Sequence, residues 1–374
     1  MTLGPLVRDL RESLGYSQGR LADLLCESAG RATVSREDVS RWENGKRTPG
    51  PFWLRHLATV LDVALEVLED AKMQRRRFLT NAAATAIAPV VASDLIRSGF
   101  IGALAADHPS ADYWQDKLIT YGRDYMSLGA AEIQRRLSLD LLVLQQQLEE
   151  PSLWGIASKL MTLYGKTFPG SDGAKAANWY RIAAQAADRS GDADARVWVR
   201  GRAAIALGYE GASLGLADMF ADQAMQISDK PSLGRLNAIM GKAHVAALRG
   251  DDRSARELVE SGRRVFDRSG SEEQTSDYAV PWWRMNVFLS LLAARLGDED
   301  RAVHAQEQAT SELPSSLPRF ATHLEMHRGL MLARAGDQTG GVAYAESALG
   351  ELPPEKHSLT LRLLLQEIKG SNGH

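Results

Sequence analysis

The sequence predicts an all-α protein with a small N-terminal domain of short helices and a larger body of helical repeats. Three observations support this prediction. Apolar residues in the first seventy positions recur at helical spacing, between short breaks that contain Gly and Pro. From about residue 110 onward the chain is rich in Ala and Leu, with helical periods and no convincing strand pattern. Small residues there recur at matching offsets, which is typical of stacked helical hairpins.

The composition is that of a globular protein with two or three domains. The 374 residues are 44% hydrophobic and 24% charged, and the formal net charge is −3. Residues 1–77 carry 13 Lys and Arg against 11 Asp and Glu, so a mildly basic head precedes an acidic body. The single cysteine, Cys26, excludes an internal disulfide and favours a reducing compartment. We therefore expect a cytoplasmic protein.

The segment between head and body is expected to be a linker. No apolar run approaches the roughly 18 residues of a membrane-spanning helix, so no membrane partner is expected. Residues 75–92 begin with three arginines and continue into an Ala- and Val-rich stretch, as in a twin-arginine export leader. Such a leader belongs ahead of any folded domain, so a basic linker entering an Ala-rich helix is favoured. The predicted segments are a head (1–70), a linker (71–110) and a repeat body (111–370).

The head is predicted to contain five short helices. The third of them opens with Ser35-Arg36-Glu37-Asp38, a near capping box in which Asp replaces the usual Glu or Gln. It ends at Asn44-Gly45, and Val39 and Trp42 are expected to face the core. Ser17 is a good N-cap for the second helix. The apolar residues of the first and the closing helices are Leu6, Val7, Leu10, Leu14, Leu54, Leu57, Leu61, Val63, Leu65 and Leu68.

The stretches 14–22 and 34–49 closely resemble the Cro/phage-repressor-like (XRE) helix-turn-helix family. The specific part is the Ser-x-Trp-Glu-x-Gly-x-x-x-Pro pattern that starts at Ser40, and the resemblance covers residues 3–69. The connection over residues 27–33 is longer than the tight turn usual in the family, which leaves the start of the third helix open by a residue or two. The resemblance implies a domain that places its third helix in the major groove of DNA.

The resemblance assigns DNA-contacting roles to residues on and around the third helix. Gln18 would donate to a phosphate beside a helix N-terminus. On the exposed face, Arg36 and Arg41 can read guanine and Glu37 can accept from cytosine. Glu37 equally suits the first turn of a helix without touching DNA. The complete predicted DNA-binding set is Gln18, Ser35, Arg36, Glu37, Ser40, Arg41, Asn44, Lys46 and Arg47.

The body contains five units that align on helix joints at Asp172, Ala212, Gly250, Gly297 and Gly336. Five residues after each joint stand Ala177, Ala217, Ala255, Ala302 and Gly341, and twelve residues after stand Ala184, Ala224, Gly262, Ala309 and Ala348. Small residues seven apart let two helices of a hairpin pack closely. The pattern over about 155–355 resembles the tetratricopeptide repeat, with spacings above the usual length. An irregular all-helical domain is the alternative.

Such repeats stack into a superhelix whose first helices line a concave groove. Cations, an amide and soft apolar side chains in that groove would suit an extended peptide or an acidic small molecule. The alternative for each residue is a surface or inter-repeat contact. Projecting the inward-facing offsets of the repeat gives Arg202, Tyr209, Asn237, Met240, His244, Arg284, Arg295, His323, Met326 and Arg334 as the candidate ligand-binding set.

The sequence contains no motif for catalysis, a cofactor or a metal. It has no phosphate-binding Gly loop, no Cys/His metal spacing and no Gly-x-Ser-x-Gly nucleophile motif. His323 and His327 are four residues apart on a predicted helix, but no Glu-x-x-His pattern accompanies them. We therefore expect a protein that is not an enzyme and has no catalytic residues, metal or cofactor.

The combination of an XRE-like head and a tetratricopeptide-like body resembles the peptide-sensing quorum regulators of Gram-positive bacteria. The Ala-, Arg- and Gly-rich composition suggests an actinobacterial host. The resemblance implies a homodimeric transcriptional regulator on an inverted-repeat operator in double-stranded DNA, modulated by a peptide or small acidic ligand. The alternative is a ligand-independent repressor whose repeats serve as a protein-protein adaptor.

Overall fold

The computed structural model describes residues 3–30, 33–63, 110–128, 130–168, 173–211, 213–353 and 356–371, together with positions 65, 68 and 69. Within this part of the chain the regular elements are helices, apart from one isolated β-bridge between Val63 and Ser213. No helix in the described residues is both long and apolar enough to span a lipid bilayer. The predicted linker helix and the leader-like segment 75–92 lie outside the described residues.

The head contains four described helices around one apolar core. They are α1 (Leu3–Ser13), α2 (Gln18–Ala29), α3 (Arg36–Glu43) and α4 (Pro51–Val60). Ser17 caps α2 by accepting from the Arg20 backbone N–H at 3.0 Å, as the sequence predicts. Val39 and Trp42 are buried, which confirms the inward face of the third helix. The expected fifth helix, around Leu65 and Leu68, lies mostly outside the described residues.

The body is a series of antiparallel helix pairs that begins after two helices, α5 (Ala111–Ser127) and α6 (Ala130–Leu144). The five hairpins are α7 (Pro151–Lys166) with α8 (Gly173–Ser190), α9 (Ala193–Glu210) with α10 (Leu214–Ile227), α11 (Leu233–Leu248) with α12 (Asp252–Ser269), α13 (Trp282–Arg295) with α14 (Glu299–Glu312), and α15 (Pro318–Arg334) with α16 (Gln338–Gly350). The final helix, α17 (Leu359–Gly370), packs against both α15 and α9. The predicted fold class, a helix-turn-helix head followed by tetratricopeptide-like helical repeats, is confirmed.

The small residues that defined the repeat occupy the hairpin interfaces. The five at the first offset are all buried, and so are four of the five at the second; Ala348 is half-buried. The joints at Gly250, Gly297 and Gly336 have φ of 75°, 65° and 101°, a left-handed conformation that disfavours side chains with a Cβ. The joints at 172 and 212 lie outside the described residues.

Helices α9 and α11 approach each other closely enough for backbone contact. A Cβ atom on Gly208 would lie 2.5 Å from the carbonyl oxygen of Gly241, and Gly201 and Gly234 form a second such pair one heptad earlier. Since real Cβ atoms do not come so close, only glycine permits this packing. Asn237 and Met240, which the repeat pattern turns inward on α11, are both buried, and the Met240 side chain lies against Gly262 of α12.

The head is docked on the body by polar and apolar contacts. Asp62, just after α4, accepts from the Leu214 backbone N–H through its carbonyl at 3.0 Å, and its carboxylate pairs with Arg249. The Arg181 guanidinium donates to the Asp9 carbonyl at 2.9 Å. One continuous apolar core joins residues of the head to α8, α9 and α10. The orientation of α3 is therefore fixed relative to the repeats.

Candidate nucleic-acid interface and ligand cavity

Helix α3 is held at its start by a complete capping box. The Ser35 hydroxyl oxygen accepts from the Asp38 backbone N–H at 3.3 Å, and the Asp38 carboxylate accepts from the Ser35 backbone N–H at 3.2 Å. The Asp substitution that the sequence showed therefore retains the reciprocal bonds, and α3 begins at Arg36. With Val39 and Trp42 in the core, the opposite face of the helix is presented outward.

The predicted DNA-binding residues lie together around this outward face. Seven of them are exposed and two, Gln18 and Ser40, are half-buried. Asp38 pairs with Arg47 at 3.3 Å and more weakly with Arg41 at 3.9 Å. Such exposed pairs contribute about 0–1 kcal/mol, so both guanidinium groups can exchange Asp38 for another anion at low cost. The seven exposed residues are Ser35, Arg36, Glu37, Arg41, Asn44, Lys46 and Arg47.

A buried carboxylate, Glu43, fixes the end of α3 and was missed by the sequence reasoning. Its side chain is fully buried and accepts from Arg11 Nε at 2.6 Å and from Gln18 Nε2 at 2.7 Å. The hydrogen bond to Glu43 raises the pKa of Arg11 above its ordinary value. Glu43 lies four residues after Val39, so helical spacing places it on the buried face. One carboxylate thus ties the first three helices together.

The second candidate site is a cavity of about 420 Å³ on the inner side of the body. This volume is within the ~300–1,000 Å³ of small-molecule sites. Its walls come from α5, α6, α7, α9, α13, α15 and α17, together with a loop between α12 and α13. The aromatic side chains among its lining residues are Tyr125, Phe168, Tyr209, Phe288 and Phe320, and the ionisable groups that carry charge are Lys166, Arg202, Glu210, Asp277, Arg284, Arg319 and Lys356.

A cluster of four charged side chains lies at the wall of the cavity. Asp277, from the loop, is almost fully buried, and its Oδ1 accepts from Lys166 Nζ, from Arg202 Nη2 at 2.8 Å and from Arg284 Nη2 at 3.0 Å. Burial alone would raise the pKa of Asp277, but the three cations lower it well below its ordinary value. Burial and the neighbouring Arg202 lower the pKa of Lys166 well below its ordinary value. We call these four residues the Asp277 cluster.

Four of the ten predicted groove residues line the cavity, namely Arg202, Tyr209, Arg284 and His323. The other six are not among its lining residues: Asn237, Met240, His244, Arg295, Met326 and Arg334. Asn237, Met240 and His244 are buried on α11, where Met240 lies against Gly262 of α12 and His244 Nδ1 lies 2.9 Å from Arg295 Nη1. Met326 is fully buried in an apolar cluster, and Arg295 pairs with Glu367 at 2.9 Å.

Two histidines on α15 form a buried hydrogen-bonded chain with Tyr209. The Tyr209 hydroxyl lies 3.0 Å from His327 Nε2 and 3.4 Å from His323 Nδ1, and Ser290 Oγ lies 2.9 Å from His327 Nδ1. Burial, and next Arg319, lower the pKa of His323 to about 3. Burial, and next His323, lower the pKa of His327 well below its ordinary value. Within the described residues no group of three or more His, Cys, Asp or Glu side chains could hold a metal.

The sequence reasoning missed Lys166, Glu210 and Asp277. Asp277 lies in the segment between the joints Gly250 and Gly297, whose spacing exceeds that of the other units, and this excess length was the available signal. Glu210 accepts from the Thr360 hydroxyl at 3.0 Å, and burial raises its pKa to about 7. The repeat offsets predict only positions on helices, so they could not identify Asp277, which lies in a loop.

The fold and the outward face of α3 define a helix-turn-helix DNA-binding domain joined to a helical-repeat body. Residues 2–71 match the family described as "Helix-turn-helix domain", which confirms the prediction for the head. Among solved structures, the crystal structure of Bacillus thuringiensis PlcR in complex with the peptide PapR7 and DNA is similar at 13% identity. The match covers 87% of this chain and 96% of that chain, with a TM-score of 0.33. None of the curated proteins matches the sequence.

Proposed function

We propose that this chain is a cytoplasmic, sequence-specific transcriptional regulator that binds DNA through α3 and a peptide or small acidic effector in the cavity. The observation that carries the proposal is the outward face of α3. It belongs to a helix-turn-helix domain and presents exposed arginines, of which Arg41 pairs weakly with the partly exposed Asp38 at 3.9 Å. The buried Glu43 holds this helix rigid, which suits a surface that must read base edges without first being ordered.

The positions of the side chains suggest that some of them contact bases and others contact phosphates. Arg36 and Arg41, on the helix itself, would reach guanine O6 and N7, and Glu37 would accept from cytosine N4. The remaining residues would contact phosphates and set the register on the duplex. These positioning residues are Gln18, Ser35, Ser40, Asn44, Lys46 and Arg47.

We further propose the domain division 1–70, 71–110 and 111–370, with a homodimer as the active form. Two heads whose half-sites are about one helical turn apart, roughly 34 Å, would read an inverted repeat. An effector that binds one arrangement of the repeats better than another would shift the separation of the heads and hence the affinity for DNA.

The proposal is tested by selecting a binding site from a random DNA pool with the full chain. Specific affinity is then measured for the wild type and Arg41→Ala. We expect a loss of about 10–100-fold on the selected site, from the ~1–3 kcal/mol of a bidentate contact, with little change on random DNA. Arg253→Ala is the matched control, since this arginine on α12 is highly exposed and far from the head in sequence. Failure to select any sequence, or equal losses in both variants, would refute the proposal.

A further inference from the structure

We propose that the Asp277 cluster is a carboxylate-binding subsite of the cavity, at which Lys166, Arg202 and Arg284 grip an acidic group of the effector. This inference rests on the proposed function and names the chemistry of its effector. The apolar remainder of the molecule would lie against the aromatic walls, among them Phe288 and Phe320.

The first argument is the charge imbalance within the cluster. One carboxylate, Asp277, accepts hydrogen bonds from three cations, and all three converge on the single oxygen Oδ1. The side chains of Arg202, Asp277 and Arg284 are 6%, 1% and 5% exposed, so water screens them little. A buried excess of positive charge is costly unless an anion compensates it. A ligand carboxylate is such an anion.

The second argument is independent of charge and concerns unpaired atoms. The Nε atoms of Arg202 and Arg284 are both buried and have no acceptor among the described residues. Buried guanidinium donors are normally satisfied, because leaving one without an acceptor destabilises the folded state. Asp277 Oδ2 is likewise buried and has no donor. The cluster therefore does not satisfy its own polar atoms, which is expected of a site that rearranges around a bound acidic group.

The third argument is the composition of the cavity as a whole. Its lining contains five Lys and Arg side chains but only two carboxylates, Glu210 and Asp277. Burial raises the pKa of Glu210 to about 7, so this group carries only part of a negative charge at neutral pH. Arg319 extends the positive lining towards Phe320, whose ring it faces at 5.6 Å. Even with Lys166 left out because of its lowered pKa, the four cations Arg202, Arg284, Arg319 and Lys356 outnumber the two carboxylates, so the field inside the cavity selects anions with an apolar body.

Two sources could supply this chemistry: the C-terminal residue of a peptide and a free organic acid. The probes are N-acetyl-L-phenylalanine, its C-terminal amide and 3-phenylpropionate, each titrated into the full chain by calorimetry at fixed ionic strength. We expect each acid to bind at least about tenfold more tightly than the amide, since charge-assisted hydrogen bonds are much stronger than neutral ones. A preference for N-acetyl-L-phenylalanine over 3-phenylpropionate would identify the peptide source, and equal binding would identify a simple acid.

The test variant is Lys166→Met, and its matched control is Lys159→Met. Both lysines are half-buried on α7 with pKa values lowered by burial, but Lys159 lies outside the cavity, over the Trp198 ring. We expect Lys166→Met to lose the preference for the acid and to be as stable as the wild type or more stable, because it relieves the excess of charge. Lys159→Met should keep the preference. If Lys166→Met does not fold, Arg284→Met replaces it.

Retention of the full acid preference in the Lys166 variant, or no preference for acid over amide in the wild type, would overturn the subsite. The wild-type comparison decides even if neither variant folds, because the acid and its amide differ in charge and hardly in shape. Operator binding is measured in parallel without probes. Intact operator binding without acid binding refutes the subsite alone, whereas acid binding without operator binding refutes the regulatory function and keeps the subsite.

Discussion

The cations of the head and the cations of the cavity differ in what surrounds them. On the outward face of α3, the side chains of Arg41 and Arg47 are 58% and 66% exposed and share one partly exposed partner, Asp38. In the cavity, Arg202 and Arg284 are almost fully buried and grouped around Asp277. Exposed cations exchange their ion-pair partners at a small free-energy cost, and salt weakens their interactions. Both properties suit a surface that moves along DNA before it binds a specific site. Buried cations are fixed in place, as a selective ligand site requires.

The largest effect is expected from Asp277→Asn, which removes the negative charge around which three buried cations are grouped. Removing one charged partner from a buried ion pair costs about 3–5 kcal/mol, so the free energy of unfolding should fall by about that amount. The measurement is urea denaturation of the full chain. Glu257→Gln is the control, because its partner Arg253 is 90% exposed and the pair should contribute less than about 1 kcal/mol. Equal losses in the two variants would mean that the burial of the cluster has no energetic consequence.

A loss of about 3 kcal/mol is expected from Glu43→Gln, because Arg11 then keeps a buried charge without its buried carboxylate partner and retains only the exposed Glu12 at 3.1 Å. Glu43 lies off the exposed face but accepts from Gln18, so the variant should weaken DNA binding through the lost rigidity of α3 and through the release of Gln18. Circular dichroism and operator binding of the full chain measure both. The comparison with Arg41→Ala is informative: the Arg41 variant should lose specific binding without losing stability. Loss of binding in Glu43→Gln at unchanged stability would contradict the role of Glu43 as an internal brace.

The pH dependence of stability should contain two opposing contributions. For His323 the folded-state pKa of about 3 is below the unfolded value of about 6.5, so the unfolded chain binds the proton first and stability falls as pH drops below 6.5. For Glu210 the folded pKa of about 7 is above the unfolded value of about 4.5, so stability falls as pH rises from 4.5 to 7. Each group acts with a slope of at most about 1.4 kcal/mol per pH unit.

Variants separate the two contributions. His323→Gln should reduce the decline below pH 6.5, of which His327 retains a part, and Glu210→Gln should remove the decline between pH 4.5 and 7. Both are measured as differences from the wild type in urea denaturation. The charged and titratable groups around them are Arg319, Tyr209 and His327 for the histidine and Lys166, Arg202 and Tyr180 for the glutamate. Parallel pH profiles for the wild type and both variants would show that neither group is buried as described.

The sequence predicts the local interactions of this protein well, but not the contacts between residues that are far apart in the chain. The caps at Ser17 and Ser35 and the small residues of the hairpins are local features, and the structure contains them where the sequence places them. The cavity joins Lys166 to Asp277, 111 positions apart, through a loop that no repeat offset describes. The projection that gave the ten candidate groove residues also assumed that the first helix of every hairpin faces the groove. Its α11 positions, Asn237, Met240 and His244, are instead buried in contacts between helices, which a spacing pattern does not reveal.

The smallest effect is expected from Arg47→Ala, and it tests whether the exposed cations of the head differ among themselves. Arg47 lies past the end of α3 and is proposed to contact a phosphate, which carries no sequence information. Its loss should weaken binding to operator and random DNA equally and reduce the slope of log affinity against log salt by about 1. Arg41→Ala should instead lower the ratio of specific to non-specific affinity. If Arg47→Ala changes that ratio and leaves the salt slope unaltered, then Arg47 reads a base, and its assignment as a phosphate-contacting residue is wrong.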